Sequence, residues 1–235
     1  MIIDMDIVII GHNEGDSVQS MLSALQNSDG KIIYVADRCT DNTIEQLSEH
    51  PKVEVIDTTE MRFNGRKTST LRNLGLSRCD AESDVLFLDG DRFPVIGDLS
   101  DLSTIDEDVA SIMLEDDFRH KEDFPNMYGS YFNWVYSAGI FFKRSAIDRI
   151  VDFQGTLFNE ALQEKWGIED TTLGDVCHHL GLTATLIDSI RLKGHFNNNI
   201  VDIEACKKRA AFNKKIGHKF QIRFQWQTRG SEETK

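Results

Sequence analysis

Two aspartates separated by one glycine follow a run of apolar residues. The segment is VLFLDGDRF, residues 85–93, and its carboxylates belong to Asp89 and Asp91. Two negative charges this close repel each other, so the arrangement costs stability unless a cation lies between them. Carboxylate oxygens are the ligands that Mg²⁺ and Mn²⁺ prefer, and these ions keep open positions for substrate phosphates. The spacing therefore indicates a divalent-cation site; a solvated turn with a positive φ angle at Gly90 is the structural alternative.

The apolar run before Asp89 is the last of four predicted strands that alternate with predicted helices. Apolar runs bounded by glycines and polar residues indicate the strands, and apolar side chains at helical spacing indicate the helices. Alternation of this kind predicts a parallel sheet with right-handed crossovers. The strands are expected at residues 6–10, 31–36, 52–57 and 84–89, and the helices at 17–27, 40–50 and 66–79.

Polar residues follow each of these four strands. Residues 11–14 follow the first strand, Asp37 and Arg38 the second, Asp57 and Thr58 the third, and Asp89 and Asp91 the fourth. Ligands of open parallel sheets bind beyond the carboxyl ends of the strands. An aspartate at a strand end is more often a turn residue than a ligand. The prediction of a binding site therefore depends on the convergence of all four ends.

The second half of the chain does not continue the regular alternation of predicted strands and helices. Strands are predicted at residues 108–115, 137–144 and 182–188, and a closing helix at 202–217, with an irregular aromatic-rich stretch after the first of them. No repeat is present, and no stretch rich in Pro, Gly or Ser divides the chain. We therefore expect one α/β domain with a mostly parallel central sheet flanked by helices.

Composition narrows the class of protein. The chain has 235 residues, enough for one large α/β domain, and a formal net charge of −13. No apolar run is long enough to cross a bilayer, and the N-terminus carries acids where an export signal has basic residues. We expect a cytoplasmic protein whose cysteines are free thiols; they are Cys39, Cys79, Cys177 and Cys206.

One region is basic within this acidic chain. Residues 191–223 contain nine Lys or Arg and two acids. A solvated amphipathic helix accounts for this pattern, and so does a cationic surface for a phosphate-rich partner, either nucleic acid or an anionic membrane surface.

Five segments, in order and over roughly residues 6–187, resemble family-2 glycosyltransferases of the GT-A fold. The first is VIIGHNEGDSVQSMLSAL, at residues 8–25. YVADRCTDNT resembles the family segment VDDGSTDNT, and GRKTSTLRNLGLSRCDAESDVLFLDGDRF resembles GKGAARNRGLEAAKGEYILFLDADD. SAGIFFKRSAIDRI is similar to a later strand, and WGIEDTTLGDVCHHLG to the element WGGEDxxLxxRL. Together these motifs are fairly specific.

The resemblance implies a metal-dependent transferase that uses a nucleoside-diphosphate sugar, with a UDP-sugar favoured. It implies that Asp91 binds Mn²⁺ or Mg²⁺ directly, that Asp89 contacts the ribose or a metal-bound water, and that Asp89 and His195 are further candidate metal ligands. Asp37 matches the aspartate that accepts from a pyrimidine N–H, although Ala36 replaces the usual acid beside it. The donor-binding positions carried over are Gly11, Asn13, Glu14, Asp37, Lys67, Arg72 and Asp89. Lys67 and Arg72 face the nucleotide in this interpretation, or else lie on a surface helix.

On the acceptor side, the resemblance implies that Asp170 is the catalytic base. A hydroxyl is a poor nucleophile, so a carboxylate must take its proton as the sugar carbon is attacked. Glu169 would orient the acceptor or exchange roles with Asp170; both acids would also suit a helix N-terminus. Trp166 is a candidate platform for a sugar ring, with core packing as the alternative. The family also implies inversion at the anomeric carbon.

The implied domain plan has a nucleotide-binding half at residues 1–92 and an acceptor half at 93–225. Residues 226–235 are expected to form a disordered tail. The alternative functions are a nucleotidyltransferase and a non-catalytic nucleotide-sugar-binding protein on the same fold. The segment GHNEGD lacks the Gly-rich, Arg-bearing loop that a nucleotidyltransferase would need. No GxGxxG follows the first strand, which argues against an NAD-binding module. The acceptor stays open among a glycan, a protein, a lipid-linked sugar and a modified DNA base.

Overall fold

The computed structural model describes residues 5–63, 67–115, 139–162 and 168–194, together with 208, 211, 212 and 214–217. Every strand in these ranges belongs to one eight-stranded sheet of order β3-β2-β1-β4-β7-β6-β8-β5. The strands are β1 Met5–Gly11, β2 Ile32–Ala36, β3 Val53–Asp57, β4 Asp84–Asp89, β5 Pro94–Ile96, β6 Val109–Leu114, β7 Gly139–Phe142 and β8 Ala184–Leu192. Within these ranges the α-helices are α1 Val18–Ala24, α2 Thr43–Ser48, α3 Thr68–Leu76, α4 Arg144–Gln154 and α5 Ile168–His179, and the described residues 208, 211, 212, 214 and 215 are also helical. Two 3-10 helices span Leu99–Thr104 and Glu160–Leu162.

The first four strands form the predicted parallel half of the sheet. β1 lies between β2 and β4, and β2 also pairs with β3, all in parallel. The second half is mixed, because β7 runs antiparallel to both β4 and β6, while β8 is parallel to β6. The expected single α/β domain is confirmed.

Alternating side chains of the central strands build a core on each face of the sheet. Ile7 and Ile9 of β1 share a cluster with Val18, Met21 and Leu22 of α1. Val8 faces the other side, where Phe87, Ile140 and Phe142 pack under α4 and α5. This period of two is what β geometry imposes on a strand covered on both faces.

Helix α3 approaches the sheet closely. A Cβ on its Gly75 would lie 2.3 Å from Cγ1 of Val8, so only glycine permits this distance. The close approach carries the amino-terminal part of α3, with Lys67 and Arg72, toward the carboxyl ends of the strands. The helix is shorter than the predicted 66–79.

Several boundaries differ from the sequence-based expectation for local reasons. β5 was not predicted, because a three-residue edge strand that begins with Pro94 has no readable alternation. β8 continues to Leu192, four residues beyond the predicted end. The N-cap of α2 is Asn42, and Asp41 before it forms an Asx turn, because its carboxylate accepts from the backbone N–H of Thr43 at 3.1 Å.

Two composition-based expectations can be compared with the described residues. Cys39, Cys79 and Cys177 are free, as expected, whereas Cys206 lies outside the described residues. In the part of the chain that the structure describes, no helix combines the length and apolar character needed to span a bilayer. Most of the basic region 191–223 and all of the tail 226–235 lie outside the described residues, so these predictions stay predictions.

Candidate functional site

The carboxyl ends of β1, β2 and β4 lie side by side at one edge of the sheet. Gly11 is paired with Ala36, and Ile10 with Asp89. Two further backbone hydrogen bonds continue the ladder past the strands: the N–H of Asp37 donates to Gly11 and that of Gly90 to Ile10, each at 2.7 Å. We call this edge the rim and define it as residues 11–14, 37–41 and 89–92. Three of the four strand ends therefore bring their polar residues together as predicted, whereas Asp57, at the end of β3, is exposed and accepts from the backbone N–H of Thr59 at 2.9 Å.

A buried tyrosine forms the floor of the rim. Tyr34, on β2, is fully buried, and its hydroxyl oxygen would lie 2.0 Å from a Cβ at Gly11 and 2.7 Å from a Cβ at Gly90. Both positions must therefore be glycine for a steric reason. The alternative of a positive φ at Gly90 was wrong, since Gly90 does not lie in the left-handed region. The quoted family sequence has alanine at this position, and Tyr34 explains why this chain does not.

Asp89 is ion-paired with a buried arginine. Nη2 of Arg72 lies 2.8 Å from Oδ1 of Asp89, and Arg72 is only 2% exposed. Burial raises the pKa of Asp89, and the Arg72 guanidinium opposes that rise. A third of the Asp89 side chain stays accessible, so its second carboxylate oxygen can accept a further ligand. Arg72 thus positions Asp89 as well as facing the rim.

Asp91 is more open and has an arginine beside it. Nε of Arg92 lies 3.5 Å from Oδ1 of Asp91, whose side chain is half exposed. Nη1 of Arg92 donates to the carbonyl of Lys193 at 3.2 Å. A Cβ on Gly194 would collide with the same guanidinium. Arg92 therefore joins the turn that carries the two acids to the residues just after β8.

The two acids fit a divalent ion as a partial ligand set. Both present hard carboxylate oxygens at the same turn, and both are partly accessible. Among the described residues, no group of three or more His, Cys, Asp and Glu side chains could hold a metal ion. A two-carboxylate site of this kind leaves positions for phosphate oxygens and water, which suits Mg²⁺ or Mn²⁺. His195, the expected third ligand, lies outside the described residues.

Asp37 is held between two cations. Its Oδ1 lies 2.9 Å from Nε of Arg38 and 2.9 Å from Nζ of Lys67. Burial acts to raise the pKa of Asp37, but the hydrogen bonds from Arg38 and Lys67 outweigh burial and hold the pKa below its usual range. Lys67 is 4% exposed and also covers the ring of Phe63 at 4.2 Å. Asp37 is therefore an ionised, acceptor-only group at the rim.

The loop after β1 is fixed by contacts with the loop after β2. Oδ1 of Asn13 accepts from the backbone N–H of Thr40 at 2.7 Å, and Nδ1 of His12 donates to the carbonyl of Asp37 at 2.6 Å. Asn13 has a φ angle of 57° and Arg38 one of 49°, both in the left-handed region. Such backbone strain in non-glycine residues is typical of functional sites. Asn13, expected at a donor-binding position, thus uses its carboxamide oxygen to brace the loop.

Glu14 lies above the floor and beside the acidic turn. Its Cγ would lie 3.0 Å from a Cβ at Gly90 and 3.2 Å from one at Gly11. Burial raises the pKa of Glu14, and the negative charges of Asp91 and Asp41 raise it further. The pKa of Glu14 therefore depends on the charge present at the rim.

The predicted acceptor residues are only partly described. Asp170 lies in the first turn of α5, half-buried, and α5 packs over the face formed by β6 and β7. Its role as catalytic base stays a prediction. The side chain of Glu169 and the whole of Trp166 lie outside the described residues.

Three residues of the site were missed by the sequence analysis: His12, Tyr34 and Arg92. Arg92 directly follows Asp91, so an ion pair within this dipeptide was a readable signal. Arg38 was expected at this edge, but its ion pair with Asp37 was not predicted. Tyr34 and His12 gave no such signal, because their roles depend on which strands become neighbours.

Comparison with solved structures identifies the architecture. Glucosyl-3-phosphoglycerate synthase from Mycobacterium tuberculosis, in complex with Mn²⁺, UDP and phosphoglyceric acid, matches with a TM-score of 0.55 and 14% identity, over 91% of this chain and 79% of that one. The chain has the GT-A fold. The same enzyme in complex with Mn²⁺, UDP and glucosyl-3-phosphoglycerate gives a TM-score of 0.53 at 14% identity, over 91% and 80% of the two chains. A mycobacterial protein gives 0.52 at 15% identity, over 91% and 75%.

The GT-A fold predicted from the five sequence motifs is thereby confirmed. No protein-family model and no curated protein sequence matches the chain. At such low identity the structural likeness establishes the fold alone, and the function has to be argued from the site.

Proposed function

We propose that this protein is a metal-dependent glycosyltransferase that moves a sugar from a nucleoside-diphosphate sugar to an acceptor hydroxyl, with inversion. The observation that carries the proposal is the convergence of Asp37, Asp89 and Asp91 at the rim of a GT-A fold. A nucleotide base, a ribose and a diphosphate have to be contacted together, and this edge offers Asp37 for the base, Asp89 for the ribose or the metal ion, and Asp91 for the metal ion that carries the diphosphate.

Asp37 supports a preference for a uracil or thymine base. Because Arg38 and Lys67 keep its carboxylate ionised, Asp37 can only accept hydrogen bonds. Uracil and thymine present a ring N–H to such an acceptor, whereas cytosine presents an unprotonated nitrogen. UDP- and dTDP-sugars therefore both fit Asp37, and of the two we propose a UDP-sugar as the donor.

Asp89 and Asp91 would hold Mn²⁺ or Mg²⁺, and His195 is the proposed third ligand. When bound, the ion supplies positive charge for the diphosphate that leaves. Arg72 favours the ionised form of Asp89 against the effect of burial and fixes one of its carboxylate oxygens at 2.8 Å. Arg92 places a second protein cation beside Asp91, where it adds to the positive field around the phosphates.

Asp170 is proposed to take the proton of the acceptor hydroxyl. As the acceptor oxygen bonds to the anomeric carbon, the bond from that carbon to the diphosphate oxygen breaks. The electron pair of the broken bond leaves with the nucleoside diphosphate. Attack opposite the leaving group inverts the anomeric centre. Glu169 is proposed to orient the acceptor and Trp166 to stack on a sugar ring. We propose the cytoplasm as the location of the reaction.

Hydrolysis of UDP-, GDP- and dTDP-sugars, measured on one plate with Mn²⁺ and again with EDTA, tests the proposal. We expect turnover of a UDP-sugar that EDTA abolishes and that Asp91→Asn lowers at least about a hundredfold. Asp188→Asn, on an exposed position of β8, is the matched control and should leave turnover unchanged. Absence of turnover with all donors, or turnover that survives both EDTA and Asp91→Asn, would overturn the proposal.

A further inference from the structure

The hydroxyl of Tyr34 is a buried donor beneath the rim. Among the described residues it has no hydrogen-bond partner, although it is shielded from solvent. Burial raises the pKa of Tyr34, and the nearby acids add to this, so the phenol stays protonated and able to donate. An unpaired buried hydroxyl costs free energy, which favours a bond to any acceptor that comes within reach.

Glu14 is the acceptor placed to receive this bond. The hydroxyl oxygen of Tyr34 and Cγ of Glu14 lie close to the same two points, the Cβ positions that Gly11 and Gly90 lack. Both residues therefore meet across the backbone of the two glycines. A rotation of the Glu14 side chain would bring its carboxylate toward the hydroxyl.

The charge of the donor complex supplies the reason for this rotation. In the free protein the negative charges of Asp91 and Asp41 act on the Glu14 side chain. Cationic charge at Asp89 and Asp91 would offset this repulsion, so the Glu14 carboxylate can approach the Gly90 turn and the hydroxyl beneath it. Exclusion of water by the donor then strengthens a hydrogen bond between Tyr34 and Glu14.

We propose that Tyr34 is a positioning residue for donor binding: its hydroxyl donates to the Glu14 carboxylate once the donor occupies the rim, and so holds residues 11–14 against the Gly90 turn. This inference rests on the proposed function. It also gives Gly11 and Gly90 one shared purpose, since they clear the path between the phenol and the site.

The test is Tyr34→Phe in the full chain, because this change removes only one oxygen atom. In the free protein, the urea midpoint should stay equal to that of wild type or rise, since the lost hydroxyl has no partner there. Binding of UDP with Mn²⁺, measured by calorimetry, should weaken about tenfold, the loss expected for a hydrogen bond to a charged group. In a Glu14→Gln background, where the acceptor is neutral, the loss should fall to about threefold or less.

Ser28→Ala is the matched control, because Ser28 also carries a buried hydroxyl without a partner in the described part of the chain. Ser28 follows α1 and precedes β2, at the far end of that strand from the rim. Its variant should retain wild-type UDP affinity.

Two results would overturn the inference while leaving the proposed function intact. One is wild-type UDP affinity in Tyr34→Phe. The other is a lower urea midpoint of the free variant, which would show that the hydroxyl is already bonded without a donor. A wild-type protein that binds neither UDP nor any other nucleoside diphosphate would overturn the proposed function, and the inference with it.

Discussion

An alanine in place of Gly90 tests whether Tyr34 shapes the floor of the rim. The added Cβ would lie 2.7 Å from the Tyr34 hydroxyl oxygen and 3.0 Å from both Cγ of Glu14 and Cα of Gly11. The backbone at Gly90 does not have a positive φ, so the cost is steric and not conformational. Overpacking of this kind costs about 1–3 kcal/mol.

Tyr34→Phe should relieve part of this cost because it removes the atom in closest contact. The two contacts of 3.0 Å remain, so the double variant recovers only a fraction, and we expect a coupling energy of about 1 kcal/mol. Urea unfolding of wild type, both single variants and the double variant gives this coupling directly.

Gly75→Ala provides the matched control for the cycle. Its Cβ would also be overpacked, but against Val8 on the opposite face of the sheet from Tyr34. Gly75→Ala and Tyr34→Phe should therefore be additive. Additivity of Gly90→Ala with Tyr34→Phe, or a Gly90→Ala variant as stable as wild type, would refute the steric role of Tyr34.

Three further changes test the ion pairs and the proposed base. Asp37→Asn should destabilise the fold at pH 7 by about 2–4 kcal/mol, because it leaves the buried Lys67 without its carboxylate. Since the pKa of Asp37 is lowered in the folded state, this stability difference should be complete above about pH 4 and should disappear as pH falls through the folded pKa. Urea midpoints measured as a function of pH would show this loss. Arg72→Met should cost about 3–5 kcal/mol in urea unfolding by stranding Asp89, and adding Asp89→Asn should restore part of the loss; full stability of the single variant would contradict the pairing. Asp170→Asn should lower transfer to an acceptor about 10²–10⁴-fold while UDP affinity is unchanged, and loss of UDP affinity instead would argue against its role as base.

The parallel half of the fold was predictable because its signals are local. Apolar runs such as residues 6–10 and 84–89, each ended by polar residues, fix both the strands and the edge where their ends meet. The same local signals identify Asp37, Asp89 and Asp91, because these acids come directly after predicted strands. Their positions at the rim required only that consecutive strands become neighbours, which parallel α/β sheets favour.

The remaining features depend on contacts between distant residues. Arg72 was read as a residue facing the nucleotide or solvent, but it is buried because Asp89, seventeen positions later, compensates its charge. Tyr34 looks like an ordinary strand residue until β1 and β4 bring Gly11 and Gly90 over its hydroxyl. The antiparallel insertion of β7 beside β4 likewise has no signature within either segment.

The pairing of β7 with β4 means that the two predicted halves cannot be separated at residue 92. Val85 to Leu88 bond on one side to β1 and on the other to β7, which comes from the second half. A fragment that stops at residue 92 would expose one side of a fully apolar strand, the kind of surface that draws chains into aggregates. Expression of residues 1–92 alone should give insoluble material, and supplying residues 93–235 as a second polypeptide is the way to recover it.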